Sequence, residues 1–185
     1  MLKKMRLFRF WIPFIVCAAI FPAVLAQDTL EDFKYNEDYN RVQSILKIPD
    51  VAKRADRMVT FYTERKDVKP ELRDYADSMF AKDLEVLMQQ GNFAAMKNLC
   101  ERALKARSRF AEAYLFYGVA LKRDKKTDEA VKAFARAYVL ANPIIKPKAK
   151  QQLDVTYRST GGSLAGEDKL IKETMAEFGI KPPRK

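Results

Sequence analysis

The stretch EAVKAFARAYVLANP, Glu129 to Pro143, decides the fold. Alanine stands at 130, an aromatic four residues on at Phe134, alanine again at 137, and Asn142-Pro143 closes the run. Spacings of three and four place Ala130, Phe134 and Ala137 on one face of a helix. Small residues on such a face let a second helix approach closely, and the ring between them fills the space that remains. Thr127 precedes the run as the expected N-cap, with Glu129 in the first turn.

Working outward, Ala111 to Leu121 forms a helical run joined to Thr127 to Ala141 through the charged turn KRDKK. Two helices joined by so short a turn make an antiparallel hairpin. A second hairpin lies just before it. Leu72, Ala76, Met79, Phe80, Leu84, Leu87 and Met88 share a helical period that stops at Gly91, and Phe93, Met96, Leu99, Cys100, Ala103 and Leu104 begin one residue after Asn92. Sliding the chain by 34 residues puts Leu84 on Gly118, Leu87 on Leu121, Met96 on Ala130, Cys100 on Phe134 and Ala103 on Ala137. No segment alternates apolar and polar residues for long enough to read as a strand, so the chain is predicted to be all-α.

At this period and with these residues the sequence resembles the tetratricopeptide repeat family, whose 34-residue unit is a helical hairpin with an aromatic, Leu-Gly, Tyr, Ala, Phe, Ala and Pro at set places. The resemblance covers Asp77 to Ile144. Three departures stand out: Tyr117 takes the place of Leu, Leu121 that of Tyr, and Met96 that of Ala. It implies a short α-solenoid of antiparallel hairpins with repeats at 77–110 and 111–144. The segment 38–76, with Val51, Ala55, Met58, Val59 and Tyr62 on one face before Pro70, reads as a degenerate first hairpin. Residues 27–37 are expected to be a flexible N-terminal segment, and 145–185 to supply capping helices and a basic tail. Ile144, Ala149, Leu153, Val155 and Tyr157 would pack one cap helix. Leu164, Ile171, Met175 and Phe178 would mark the last, ending at Gly179. Stacked repeats need about three units with atypical ends.

Ahead of all this, Lys3, Lys4, Arg6 and Arg9 precede the apolar run FWIPFIVCAAIFPAVLA, the pattern of an export signal, with cleavage expected after Ala26. The alternative is a retained anchor at the short limit of a membrane span. Residues Phe14, Ile15 and Val16 before Cys17 do not make a lipobox. Removal of 1–26 would take four basic residues and lower the formal net charge from +11 to +7, leaving Cys100 as the sole cysteine and no internal disulfide. An exported protein would then act in the periplasm or outside the cell.

With no histidine anywhere, imidazole bases, Ser-His-Asp arrangements and most zinc sites drop out. There is no phosphate loop or GxGxxG, and Gly161-Gly162 follows Thr160 in a polar turn. No residue is assigned a catalytic, cofactor or metal role, and an acidic pair on an apolar helix face is not seen. The function expected is a non-catalytic interaction scaffold of the cell envelope. The resemblance implies that a peptide or partner protein binds the concave wall, lined by Ser78, Ala81, Glu85, Met88, Glu112, Leu115, Val119 and Lys122. A chaperone-tail binder of this family would carry Lys and Asn where Ala81 and Glu85 stand, so that clamp is not expected. The alternative is an accessory acting on anionic membrane or polysaccharide through a basic edge formed by Lys122, Arg123, Lys125 and Lys126, by Lys105, Arg107 and Arg109, and by Lys146, Lys148 and Lys150. No aromatic-interleaved basic motif points to nucleic acid.

Overall fold

The computed structural model describes residues 31–182, among which there are eight helical segments and no strand. The segment expected to direct export and the tail beyond 182 lie outside the described residues. Residues 31–46 form α1, and the contacts divide within it: the chain up to Arg41 belongs to one unit, Val42 onward to the other. The segment 31–37 is therefore helical, not the flexible lead-in its polar composition predicts. The second unit continues with α2 (Val51–Glu64), α3 (Pro70–Gln89), α4 (Phe93–Ala106), α5 (Ala111–Arg123), α6 (Thr127–Leu140), α7 (Lys146–Ser159) and α8 (Leu164–Glu177).

The local reasons for these bounds are legible. Asp50 caps α2 by accepting from the Lys53 amide, Asn92 caps α4 through the Ala95 amide, and Ser163 caps α8 through the Gly166 amide. Pro70 opens α3 as its first residue, where a missing N–H costs nothing. The helix therefore begins seven residues before Asp77, the expected start of the first repeat. Thr127 is the first helical residue of α6 and not its cap. That place falls to Lys126, which makes no side-chain bond.

A single helix ending recurs four times, three of them inside a helical pair and the fourth at Gly179 after α8. Gly91, Lys125 and Gly161 all take left-handed φ, at 72°, 62° and 79°. In each case the next amide bonds back five residues, Asn92 to the Leu87 carbonyl, Lys126 to Leu121 and Gly162 to Tyr157, and the left-handed residue bonds back three. This is the paired-bond helix ending that glycine serves best. The turns stand 34 and then 36 residues apart, so α3/α4, α5/α6 and α7/α8 are three hairpins by their turns, although α8 packs on α6 and makes little backbone contact with α7. The shift to 36 has a simple origin: the connection from α6 to α7 has five residues where that from α4 to α5 has four, and α7 is one residue longer than α5.

Packing follows chain order. α5 lies against α4 and α6, α6 against α5, α7 and α8, and α2 against α3 and α4. Within the second hairpin, a Cβ on Gly118 would stand 2.6 Å from Phe134 Cε1, so the ring lies on bare backbone. In the first hairpin the matching residues, Leu84 and Cys100, are fully buried. In the third, Gly162 and Gly166 cradle Tyr157, whose ring or hydroxyl would meet a Cβ at either place. Ala149 and Leu153 of α7 are buried as expected, but Ile144 is 88% and Val155 54% exposed. Ala130, Ala133, Phe134, Ala135 and Ala137 are all at or below 2% exposure, because α6 is covered by three neighbours. Ala135, half a turn from Ala137, is thus as much a core residue as Ala137 itself.

Candidate functional site

The junction between the first two hairpins is polar at its centre. Tyr62, Phe80 and Phe110 meet with centroids 5.4 to 5.8 Å apart, the tyrosine edge-on to both phenylalanines. Over this cluster lies Arg107, with its guanidinium 4.6 Å from the Phe110 centroid and 5.1 Å from that of Tyr62. It donates to Asp77 through two nitrogens, at 2.5 and 2.9 Å. Burial raises the Asp77 carboxyl above its usual range, against the opposing pull of Arg107. Glu112 is raised as well, first by burial and further by the nearby Asp77 charge. The Tyr62 hydroxyl is pushed well up, first by burial and then by the neighbouring Asp77 carboxylate. On the far side of α3, Arg54 grips Asp83 with Nε at 3.0 Å from both carboxylate oxygens and donates from Nη1 to the Ile48 carbonyl at 2.8 Å. These buried pairs register α2, α3 and α4–α5 on one another.

The eight candidate wall residues divide unequally. Ser78 and Lys122 are exposed, and Ala81, Glu85, Met88 and Val119 are half-buried. Ser78 Oγ donates to the Tyr75 carbonyl, 2.8 Å away. Glu112 and Leu115 are buried and offer no open surface: Glu112 faces the Asp77–Arg107 junction, and Leu115 joins the core cluster that holds Ala149 and Leu153 of α7. A residue the sequence did not assign to the wall stands over it. Lys148 of α7 approaches Glu85 of α3 at 3.7 Å and lies 5.7 Å from the Phe116 centroid of α5, so it links α3, α5 and α7. A lysine placed two residues after the start of a helix carries no sequence signal for this. Only the three-dimensional course of α7 past α5 brings it there.

The basic clusters do not align into one stripe. The turn at 124–126 lies at the same end of the hairpins as Gly91 and Gly161, whereas 107–110 and 141–145 connect one hairpin to the next and lie at the opposite end. Several of the cations are also occupied. Lys150 bonds Asp154 and, at 2.5 Å, the buried Glu167. Lys146 lies 5.2 Å from the Tyr138 centroid, and Arg109 lies 6.0 Å from that of Phe178. Cys100 is fully buried and its thiol is pushed up by desolvation, away from the reactive thiolate.

Two open clefts stand out among the described residues. One of about 450 Å³ lies between α6 and α8, with Val131, Tyr157 and Leu170 beside Asp128, Lys132, Lys169 and Glu173. Another of about 410 Å³ lies between α2 and α4, beside Val59, Thr60, Thr63 and Arg102. None of the eight wall residues lines either one. Among the described residues no three His, Cys, Asp or Glu side chains gather as metal ligands, and no helix is long and apolar enough to cross a membrane. Comparison of the chain with family models, with curated proteins and with solved structures returns no match.

Proposed function

We propose that the chain is a non-catalytic binding scaffold of the cell envelope, built as a short solenoid of tetratricopeptide-type hairpins, and that it holds a peptide or a partner protein against the inner wall of α3, α5 and α7. The observation that carries the fold half of this reading is the turn repeated at Gly91, Lys125 and Gly161 together with the close seat of Phe134 on Gly118. Support for the binding half comes from Ala81, Met88 and Val119, apolar side chains left half-open on α3 and α5. Such side chains on a rigid, repeated frame are where an extended partner gains contact area. Fold alone does not fix the activity, so the wall itself has to be tested.

A photo-reactive phenylalanine analogue placed at Val119 in the full chain, and separately at Lys132 on the outer helix α6, gives that test in intact cells. The scaffold reading expects discrete protein adducts from position 119 and none from 132. Adducts of equal pattern from both positions, or from 132 alone, would move the binding surface off the inner wall.

A further inference from the structure

Lys148 is the first of a row on α7, with Gln151, Val155 and Arg158 following at the spacing of one helix face, and all four are exposed. Since Lys148 reaches α5 and α3, this is the face α7 turns to the inner wall. Lys122 stands at the end of α5 and is exposed too. Of the exposed cations Lys122, Lys148 and Arg158, Lys148 is the one set against a carboxylate of α3, that of Glu85, with exposed Asp74 further along the same α3 row and Glu112 buried. Glu85 is engaged already. Its contact with Lys148 crosses above Phe116, which is 5% exposed, and ties the first hairpin to the third.

Resting on the inner-wall reading, we propose that the bound segment is acidic, and that the Glu85–Lys148 pair is a strap that its carboxylate displaces. Glu85 then stands in, within the free chain, for the partner's carboxylate at Lys148. The chemistry suits exchange over permanence: both side chains are about half exposed, at 46% and 51%, and the separation is 3.7 Å, so the pair is weak and screened by salt. A ligand carboxylate that also covers Val119 and Met88 gains contacts that Glu85 cannot supply. Release of Lys148 from Glu85 uncovers the passage over Phe116 between α3 and α7. The net positive charge of the chain draws the same class of partner from a distance.

A fluorescein-labelled peptide of Glu-Ala repeats, with a Lys-Ala peptide as charge-reversed control, tests this by fluorescence anisotropy on the full chain. Glu85→Gln frees Lys148 and is expected to tighten the Glu-Ala peptide by about twofold to fivefold, the range in which an exposed pair competes. Lys148→Gln is expected to weaken it by at least as much. Glu129→Gln makes the same change in net charge and also releases a paired lysine, Lys126, but on the outer turn, and is expected to leave binding unchanged. Lys132→Gln, exposed on α6, is the matching control for Lys148→Gln. The strap is overturned if Glu85→Gln and Glu129→Gln bind alike, if the Lys-Ala peptide binds more tightly, or if no variant binds the acidic peptide. Should Lys148→Gln fail to fold, the comparison of Glu85→Gln with Glu129→Gln still decides. Any of these failures beside selective adducts from position 119 condemns the strap alone, whereas loss of that selectivity condemns the wall.

Discussion

The hairpins α3/α4 and α5/α6 have the same backbone plan, 34 residues apart, yet fill the space between their helices in opposite ways. The first sets Leu84 on one helix and Cys100 on the other, and the second sets Gly118 and Phe134 at the matching places. Large-and-small has become small-and-large, with the pair's total bulk kept nearly level, as close packing of an interior requires. Fully buried side chains on both sides show that each arrangement closes without a gap large enough to expose them. A repeat of this kind therefore constrains the sum of two side chains across a contact more tightly than either residue alone. That is why Cys100 sits comfortably where an aromatic is usual.

The largest expected effects come from the small residues of α6. Ala137→Arg drives a charged head into a contact that is 0% exposed, and overpacking together with an unpaired buried charge costs about 4 kcal/mol or more. The melting midpoint should fall by roughly 10 °C. Ala135→Arg should do similar damage, since that residue is fully buried beside Leu153, whereas Lys132→Ala on the exposed face of the same helix should stay within about 0.5 kcal/mol. In the first hairpin the residue matching Ala135 is Glu101, half-buried, whose carboxylate takes a bond from the Tyr117 hydroxyl at 3.3 Å. Glu101→Ala should cost far less than Ala135→Arg. Thermal melts of the four variants read the contrast directly.

A middle-sized effect separates the two hairpins at their first inner residues, exposed Ser78 and buried Glu112. Burial raises the folded-state pKa of Glu112 above that of the unfolded chain, so the folded protein holds the proton more strongly. The associated stability is fully present below the usual carboxylate range and is lost as the pH rises through the raised value. Asp77 behaves with the same sign. Glu112→Gln should accordingly make the chain more stable at pH 7 than the parent and flatten this part of its pH profile, and Ser78→Ala should leave the profile alone. Denaturant midpoints between pH 4 and 7 measure both.

The smallest effect lies in the turn. Lys125 holds the left-handed place that Gly91 and Gly161 occupy in the other hairpins, a conformation that costs a residue with a Cβ about 1 kcal/mol. Lys125→Gly should raise stability by somewhat less than that, since glycine also frees the unfolded chain. Gly91→Lys should lower it.

These contrasts also explain how far the sequence could be read. The seven helices from α2 through α8 are legible because apolar residues repeat in them at helical spacing and because proline, glycine or a polar cap stands near most of their ends. The third hairpin as a repeat is not. Its frame slips from 34 to 36 residues, and the places held by Leu121 and Gly118 are taken by Tyr157 and the charged Asp154, so α7 and α8 read only as caps. The segment 31–37 is mostly polar, with only Phe33 and Tyr35 between charged and amide side chains, and two aromatics two residues apart give no helical periodicity. Of the residues expected to line a wall, Ala81, Glu85, Met88 and Val119 are partly open, but the burial of Leu115 and Glu112 depends on how closely α7 and α3 approach α5, which no one-helix pattern encodes.

The compensation across the helix contact is the claim on which the comparison stands, and a double-mutant cycle tests it most directly. Gly118→Leu places a side chain where even a Cβ would meet the Phe134 ring at 2.6 Å, and Phe134→Cys empties a fully buried site, so each single change should cost about 3 kcal/mol in denaturant unfolding. The double variant, which writes the Leu84/Cys100 pair into the second hairpin, should recover most of that loss, with a favourable coupling of about 2 kcal/mol or more. Additive losses in the double variant would contradict the account, because they would mean that residues 118 and 134 do not share one space and that the two hairpins are not built on the same contact.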